Sequence, residues 1–421
     1  MTPRRYQLRK DAVSIIERGH PWIFREQMST AADVFEDGQW LRLVDGTNHV
    51  VGHGIYESEG AIAIRVIRTG QARPDATWLR TALAAAIARR RPLVERTDAI
   101  RLLNGESDRI PAVVADRFGD TIVVQSYSTG AEALARFVAR ALAAEVNEVT
   151  RAKTDPITED EAATVDPAGL EVARRVAIGP ALNVIVRPAL RRRGEPLPVR
   201  VVRGQTPDVV TFVEDGLAFA VDLAAGHKTG TYLDLRGLRH ALATASLRNA
   251  RVLNLFAYSG MLGRAAEAGG ATEIVGVDAS ARALAFAAEH HVGDPAHHRF
   301  VVADVFEWLP SLPATEQYDV VIVDPPAMTS RMAQIPAVLA AYHKLYRAVA
   351  RHVRQHGLVV AACCTSRVER DVFERTVRAA LGERFSLERT LPAELDHPVG
   401  FPQADYLKIQ WWRADAISVP R

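Results

Sequence analysis

Polar or reactive residues follow each of five predicted strands in the second half of the chain. These groups are Asn254–Gly260, Asp278, Asp304, Asp324-Pro325-Pro326 and Cys363-Cys364-Thr365-Ser366. Ligands in open α/β sheets bind outside the carboxyl ends of the strands. Five such groups along one sheet edge are hard to attribute to chance, and they predict a single site that binds a ligand and carries out chemistry.

The first two groups indicate a nucleoside. A buried strand is predicted at Val252–Phe256, a tight turn at Ser259–Gly260 and a second buried strand at Ile274–Val277, followed by Asp278. A carboxylate about 20 residues after a glycine turn has the spacing that binds ribose hydroxyls. The GxGxxG pattern that cradles a pyrophosphate is missing, since the turn contains Asn254 and Tyr258 instead. The pattern therefore favours S-adenosylmethionine over NAD.

Each polar group then has an expected role toward that ligand. Asp278 accepts hydrogen bonds from the ribose hydroxyls, and Asp304 accepts one from the adenine amino group. The backbone amides of Tyr258–Gly260 face the methionine part. Asp304 has a competing interpretation, because an Asp after a strand is often the N-cap of the next helix.

Cys364 is the most specific chemical indication. Carbon 5 of a pyrimidine is a weak nucleophile, and a thiolate that adds to carbon 6 converts the ring to an enamine that can take a methyl group. Successive strand residues face opposite sides, so one of the two cysteines is expected in the core; we assign Cys363 to the core and Cys364 as the nucleophile. The rigid Asp324-Pro325-Pro326 segment, in which proline fixes φ, suits a planar base held by Asp324.

Length and composition limit which classes of protein this chain can belong to. The 421 residues suggest two or three domains, and 48% hydrophobic with 24% charged residues is typical of a globular chain. We predict no membrane span, because no apolar stretch is long enough, and no signal peptide or metal site. Two adjacent cysteines cannot link domains by a disulfide, which favours the cytoplasm. The net charge of +2 does not indicate nucleic acid, but three arginine-rich clusters could either contact RNA or form solvated surface. The clusters are Arg4/Arg5/Arg9/Lys10, Arg89/Arg90/Arg91 and Arg191/Arg192/Arg193.

The pattern of short apolar runs predicts three regions. Residues 1–75 are β-rich, with strands at Trp40–Val44 and Ile62–Ile67, and a helix is predicted over Ala76–Val94. Residues 151–175 are polar and acidic and are interpreted as an insertion. From Leu217 onward, buried strands alternate with helices, which predicts a doubly wound α/β domain.

The chain resembles the bacterial large-subunit rRNA cytosine-C5 methyltransferases that carry an N-terminal PUA domain. The resemblance covers nearly the whole length and depends on a set of motifs in family order. These are RGHPWIF (Arg18–Phe24), NGESDRIPAVVADRFGD (Asn104–Asp120), GHKTGTYLDLR (Gly226–Arg236), NLFAYSG (Asn254–Gly260), Asp278, Asp304, DPP (Asp324–Pro326) and DHPVGFPQADYLK (Asp396–Lys408). The chain departs from the family at Ala327 and Met328, where relatives commonly carry Lys or Thr followed by Phe.

The resemblance implies a fold and a set of partners. A PUA-like RNA-binding domain is expected at 1–75, a central α/β domain at 76–205, and a Rossmann-like methyltransferase domain at 206–421 that ends in an antiparallel hairpin at Asp396–Lys408. The resemblance implies that S-adenosylmethionine is the cofactor and that RNA, in particular 23S rRNA, is the substrate. A homodimer is compatible with the family. The implied cofactor contacts are Thr229, Phe256, Tyr258, Gly260, Asp278, Asp304 and Asp324, to which the turn adds Asn254, and the implied nucleophile is Cys364.

Other functions stay open at this point. A related enzyme could methylate a guanine nitrogen, which needs no thiol, or the chain could be a non-catalytic RNA-binding factor in ribosome assembly. A small-molecule methyltransferase is disfavoured by the long N-terminal region, and an NAD enzyme by the absent glycine pattern. The base that would remove the carbon-5 proton is not assigned, with Lys228, His227 and a water molecule as alternatives.

Overall fold

The computed structural model describes residues 3–29, 35–154, 181–188, 199–223, 229–329 and 331–415. They form two compact units. The first comprises Met1–Leu233 with Leu395–Phe401, and the second Asp234–Glu394 with Pro402–Arg421. Most of the predicted insertion at 151–175, the cluster Arg191–Arg193, His227 and Lys228 lie outside the described residues. No helix in the described part of the chain combines the length and apolarity needed to cross a membrane.

The first unit begins with a mixed sheet in the order β1-β3-β4-β5-β2. Its strands are β1 (Arg4–Gln7), β2 (Trp22–Phe24), β3 (Trp40–Val44), β4 (Val50–Tyr56) and β5 (Ile62–Thr69), and α1 (Lys10–Glu17) packs on it. Alternation in β3 buries Leu41 and Leu43 and exposes Arg42. The strand predicted at Trp40–Val44 is confirmed, and this β-rich region agrees with a PUA-like domain.

A second sheet in the first unit has the order β10-β9-β8-β7-β6. It contains β6 (Ala99–Asn104), β7 (Val113–Phe118), β8 (Thr121–Ser126), β9 (Asn183–Arg187) and β10 (Arg200–Arg203), with helices α2 (Ala76–Arg89) and α3 (Glu132–Thr154). The hairpin of β11 (Val209–Glu214) and β12 (Leu217–Asp222) also belongs to this unit. The centroid of the Phe212 ring lies 5.9 Å from that of Phe118 and 5.7 Å from that of Phe219. These contacts explain why the hairpin lies with the central sheet, although the expected domain boundary at residue 205 precedes it.

The second unit contains one sheet in the order β15-β14-β13-β16-β17-β19-β18, which we call the catalytic sheet. Its strands are β13 (Arg251–Leu255), β14 (Glu273–Asp278), β15 (His298–Val302), β16 (Tyr318–Val323), β17 (Val353–Cys363), β18 (Phe385–Leu391) and β19 (Lys408–Ala414). Its helices are α4 (Arg236–Ala243), α5 (Met261–Ala268), α6 (Ala281–His290), α7 (Val305–Ser311), α8 (Ile335–Ala350) and α9 (Arg370–Leu381). The pairs from β15 to β17 are parallel, and β19 is antiparallel to both neighbours.

This strand order confirms the Rossmann-like fold class. The parallel strands are nearly continuous apolar runs, such as Tyr318–Val323, because helices cover both faces. The order reverses between β13 and β16, and ligands of open α/β sheets bind at such a switch point. The terminal antiparallel pair is present, but Asp396–Lys408 is mainly the connection between β18 and β19 rather than the hairpin itself.

Candidate active site

The turn after β13 has an unusual backbone. Phe256, Tyr258 and Gly260 all have positive φ angles, of 60°, 47° and 78°. A bulky residue with positive φ is an outlier, and such strain concentrates at functional sites. A Cβ on Gly260 would lie 2.7 Å from the Ala287 methyl group, so this position requires glycine for space as well as for conformation.

Asp278 is held by that turn. One carboxylate oxygen accepts a hydrogen bond from the Tyr258 amide at 2.9 Å, and the other accepts one from the Ser280 amide at 2.8 Å. Each carboxylate oxygen has two acceptor positions, so both keep one available for a further donor. The half-buried carboxylate is therefore oriented before any ligand binds, as an acceptor for two hydroxyl groups.

Apolar side chains lie beside the carboxylates of Asp278 and Asp304. The Phe256 ring meets the Phe306 ring edge to face at 5.5 Å, and Phe306 is 36% and Val302 58% exposed. Sequence reasoning did not identify Phe306 or Val302 as site residues. Their positions two residues before and after Asp304 in the sequence could have indicated them. An apolar residue left exposed at a strand end can pack on a flat aromatic ligand.

Asp304 is the N-cap of α7. One of its carboxylate oxygens accepts a hydrogen bond from the Phe306 amide at 2.7 Å, as the competing interpretation predicted. Its other oxygen has no partner within the described residues. Capping and ligand binding are thus compatible in this exposed side chain, and the contact between Asp304 and adenine stays a prediction.

Asn254 and Thr229 have buried side chains. Asn254 is 1% exposed and lies beneath the turn on the α5 side, since Leu253 and Leu255 face the opposite core; its Oδ1 has no partner within the described residues. Thr229, in the first unit, is fully buried, and its hydroxyl donates to the Asp116 carboxylate. Neither placement tests their predicted cofactor contacts, which stay predictions.

Asp324 and Cys364 follow two adjacent parallel strands, in which Val323 is paired with Ala361. The half-buried Cys364 thiol donates to the carbonyl oxygen of Pro325 at 3.6 Å, which brings it against the Asp324-Pro325-Pro326 segment. Cys363 is fully buried in the core, and the Tyr342 hydroxyl donates to its sulfur at 3.4 Å. The two cysteines therefore differ in exposure, as strand alternation predicts.

Thr365 links the two loops that carry Asp324 and Cys364. Its Oγ1 accepts a hydrogen bond from the Met328 amide at 3.4 Å and lies 3.2 Å from the Tyr342 hydroxyl. Its carbonyl oxygen accepts one from the Lys408 Nζ at 2.9 Å. The sequence placed Thr365 in the group after the fifth strand without giving it a role. It did not indicate Tyr342 or Lys408, because their contacts with Thr365 join segments far apart in the chain.

Burial sets the protonation of this network. Lys408 is 1% exposed and donates to the carbonyl oxygens of Thr365 and Tyr406, and burial lowers its pKa. Burial raises the pKa of Tyr342, so its phenol stays protonated and donates a hydrogen bond. Both groups therefore act through the hydrogen bonds that hold the loops.

Comparison with known proteins identifies the family of the chain. A model described as an S-adenosylmethionine-dependent methyltransferase matches residues 190–408, and a PUA-like domain model matches 7–69. A Deinococcus radiodurans protein named ribosomal RNA large subunit methyltransferase is 31% identical over 98% of this chain and 97% of its own length. An Alteromonas mediterranea protein named ribosomal RNA large subunit methyltransferase I is 29% identical over 93% of this chain and 94% of its own.

Solved structures show the same fold. A Streptococcus mutans protein, described as a candidate methyltransferase dependent on S-adenosylmethionine, has a TM-score of 0.77 and 21% identity over 98% of this chain and 100% of its own. The family match covers more than half of the sequence and confirms the predicted cofactor. The chain belongs to the S-adenosylmethionine-dependent methyltransferase family and carries a PUA-like domain at its N-terminal end.

Proposed function

We propose that this enzyme forms 5-methylcytidine in large-subunit ribosomal RNA, through a covalent adduct between Cys364 and carbon 6 of the cytosine. The observation that carries the proposal is the half-buried Cys364 thiol beside Pro325, with its neighbour Cys363 fully in the core. The printed names of the relatives and the PUA-like domain support an RNA substrate. A methyltransferase acting on nitrogen would not need a thiol at this position.

The cofactor half of the site suits S-adenosylmethionine. The carboxylate of Asp278 would accept from the ribose hydroxyls, and Phe256, Phe306 and Asp304 would surround the adenine. Fixed acceptors and an apolar rim match a ligand that has a vicinal diol and a flat ring but no phosphate. When bound, the cofactor supplies an electrophilic methyl group.

Cys364 performs the chemistry on the substrate base. Its thiolate attacks carbon 6, and the electron pair of the 5,6 double bond moves to carbon 5, which then bonds to the methyl group. The bond between the methyl group and the sulfonium sulfur breaks as the new bond forms, and its electron pair stays on the sulfur, which leaves as a neutral thioether. A base then removes the carbon-5 proton, and the returning electron pair restores the 5,6 double bond and expels the thiolate. The target cytidine must be unstacked first, since a thiol cannot reach carbon 6 within a helix.

Asp324 is proposed to hold the edge of the base. Asp324 is half-buried and precedes two prolines, which cannot donate backbone hydrogen bonds, so this segment offers carboxylate and carbonyl oxygens to the base. The hydrogen bonds that Thr365 makes to Met328 and Lys408 keep this loop beside Cys364. Asp324 is also the proposed contact between the base site and the cofactor site.

The test uses unmodified large-subunit RNA and S-adenosylmethionine labelled on its methyl group, followed by identification of the labelled nucleoside. We expect label in 5-methylcytidine with wild type, none with Cys364→Ser, and near-normal label with the control Cys363→Ser. The control is well matched because the Tyr342 hydroxyl already donates to the atom that would be replaced. Label in a methylguanosine that survives Cys364→Ser would contradict the thiol mechanism.

A trapping experiment tests the adduct directly. RNA that carries 5-fluorocytidine has no carbon-5 proton to remove, so the enzyme should remain covalently attached after methyl transfer. The attached species should form with wild type and Cys363→Ser and should be absent with Cys364→Ser. Absence of labelled product and of adduct in all proteins would favour a non-catalytic RNA-binding role.

A further inference from the structure

Lys408, the first residue of β19, has a buried ammonium group next to the chain segment of the proposed nucleophile. The residue is 1% exposed, and strand register pairs it with Cys363, the last residue of β17. Its Nζ donates to the carbonyl oxygen of Thr365 at 2.9 Å. Cys363 and Thr365 are the residues before and after Cys364, so the Lys408 side chain lies along the segment that contains Cys364.

The hydrogen bonds of Lys408 leave its charge without a carboxylate partner in the part of the chain that the structure describes. Both acceptors of its Nζ are neutral carbonyl oxygens, of Thr365 at 2.9 Å and of Tyr406 at 2.8 Å. Asp405 is near in the sequence, but both of its carboxylate oxygens accept from Arg370, one of them from Nε at 2.7 Å. A buried cation without a counter-charge is costly, and an anion beside it would offset that cost.

Other buried cations of this protein have such an anion. Arg90 and Arg236 are both fully buried, and each forms an ion pair with a carboxylate. The Nη2 of Arg90 lies 2.6 Å from Asp108, and the Nη1 of Arg236 lies 3.3 Å from Glu394. Lys408 differs from both arginines, and the difference indicates that its counter-charge is a group that forms during function.

The charged groups around Lys408 include the two cysteine sulfurs. Burial lowers the pKa of Lys408, and the charge of Arg370 lowers it further. Negative charge on Cys363, Asp405 or Cys364 raises that pKa. Because the interaction between two charges is mutual, the ammonium group stabilises a thiolate as much as the thiolate stabilises the ammonium group.

Cys364 is the sulfur that ionises more easily of the two. Cys363 is fully buried in the core, where desolvation disfavours a thiolate, whereas Cys364 is half-buried. Its thiol donates to the carbonyl oxygen of Pro325 at 3.6 Å, and Asp324 directly precedes that proline. A carboxylate in the adjoining segment also disfavours a thiolate, so ionisation of Cys364 requires a cation close by.

We propose that the ammonium group of Lys408 is the counter-charge that keeps Cys364 as a thiolate, an inference that rests on the nucleophilic role of Cys364 in the proposed function. The thiol proton passes to solvent, the electron pair of the S–H bond stays on the sulfur, and Lys408 keeps its own proton. Lys408 acts through Cys364 and is therefore a positioning residue. Its hydrogen bond to Thr365 holds the charge in place.

The experiment measures how fast iodoacetamide alkylates Cys364 between pH 5 and pH 10, by mass spectrometry of the full-length protein. The parent protein carries Cys363→Ser, so Cys364 is its only cysteine. A free cysteine ionises near pH 8.5, and we expect the rate in the parent protein to reach half its maximum about one pH unit lower. A midpoint at pH 8.5 or above would overturn the proposal without any further variant.

Two substitutions of Lys408 in the parent protein separate its charge from its hydrogen bonds. Lys408→Gln removes the charge but keeps two N–H donors, and Lys408→Arg keeps the charge. We expect the Gln variant to shift the midpoint up by about one pH unit, so that alkylation at pH 7 is about tenfold slower, with the same rate at high pH. The Arg variant should stay close to the parent. A Gln variant with the parent's midpoint would overturn the proposal; melting temperatures confirm that each variant is folded.

Two controls exclude other causes of a shifted midpoint. Thr365→Val removes the hydroxyl that orders the loop but keeps the carbonyl oxygen that accepts from Lys408. Lys344→Gln removes an exposed charge from α8, where water and salt screen it. Both should keep the parent's midpoint. A shift with Thr365→Val as large as that with Lys408→Gln would overturn the proposal, because loop order would then explain the effect.

Alkylation needs no RNA, so this proposal and the proposed function can fail separately. A low midpoint that depends on the charge of Lys408 supports the counter-charge, even if the RNA product is not 5-methylcytidine. Formation of 5-methylcytidine that requires Cys364, together with a midpoint that does not depend on Lys408, overturns the counter-charge alone. Methyl transfer gives a second readout: turnover of Lys408→Gln should be about tenfold lower at pH 7 and recover toward wild type at pH 9, with cofactor affinity unchanged.

Discussion

The carboxyl ends of the catalytic sheet are built in two different ways. Between β13 and β15 the backbone forms the site, because a turn with positive φ angles at Phe256 and Tyr258 aims an amide at Asp278. Between β16 and β17 side chains form it, since Thr365 is held by Tyr342 and Lys408. The first half depends on local chain geometry and the second on contacts over long distances in the sequence.

This difference predicts where the enzyme tolerates change. The cofactor half should depend on few side chains, chiefly Asp278 and the space that Gly260 leaves. The half of the site that contains Cys364 should respond to substitutions on α8 and β19, because Tyr342 and Lys408 hold Thr365 there. Substitutions that separate cofactor affinity from turnover therefore test whether the two halves are independent.

The largest expected effect is the loss of Cys364, the proposed nucleophile. Cys364→Ser should reduce methyl transfer at least about a thousandfold, because a serine hydroxyl is not ionised near neutral pH. S-adenosylmethionine affinity, measured by calorimetry, should be unchanged if the halves are independent. Turnover within tenfold of wild type would show that the thiol is not the nucleophile.

Asp278→Asn should act on the other half. The amide that replaces the carboxylate keeps one acceptor oxygen but loses the charge-assisted bonds, worth about 1.5–3 kcal/mol, so cofactor affinity should fall roughly ten- to a hundredfold. The control is Glu273→Gln at the opposite end of β14, where an exposed ion pair with Arg251 is lost. A similar loss of affinity in both variants would contradict a specific role for Asp278.

A smaller effect is expected from Thr365→Val, which removes the hydroxyl that joins Met328 to Tyr342. The turnover number should fall about tenfold while cofactor affinity stays constant. Stability should fall by about 1–2 kcal/mol, because the Met328 amide loses its acceptor and the buried Tyr342 hydroxyl loses a neighbour that can hydrogen-bond to it. Thr365→Ser should restore turnover. A parallel loss of cofactor affinity in Thr365→Val would show that the two halves are coupled.

The same contrast explains how much of the molecule the sequence could predict. The strand ends and the Asp278 spacing follow local rules of periodicity and turns, and the chain order of the elements was predictable from them. Lys408 was not recognised, because its contact with Thr365 depends on the pairing of β19 with β17. Phe306 and Val302 were missed because an apolar residue at a strand end is ordinarily assigned to the core.

Arginines show this limit most plainly. The cluster Arg89–Arg91 was a candidate RNA contact or solvated surface, yet Arg90 is fully buried and donates to both oxygens of Asp108, at 3.0 and 2.6 Å. Arg42 and Arg68 are far apart in the sequence, yet strand register places both opposite His53. Proximity in sequence therefore indicates little about shared surface in a sheet.

The smallest expected effect concerns the pH dependence of stability, and it isolates Lys408. Burial holds the pKa of Lys408 below its usual value of 10.5, so above the folded-state pKa the unfolded chain binds more protons than the folded one. Stability contributed through this group should therefore rise with pH over the window that ends near 10.5. Lys408→Met has no proton to release, so the free energy of unfolding of wild type should increase relative to that of the variant across this window. Denaturant unfolding of both proteins at pH 8, 9 and 10 measures the difference between their free energies of unfolding. If that difference is the same at all three pH values, Lys408 is charged equally in the folded and unfolded states and does not link folding to pH.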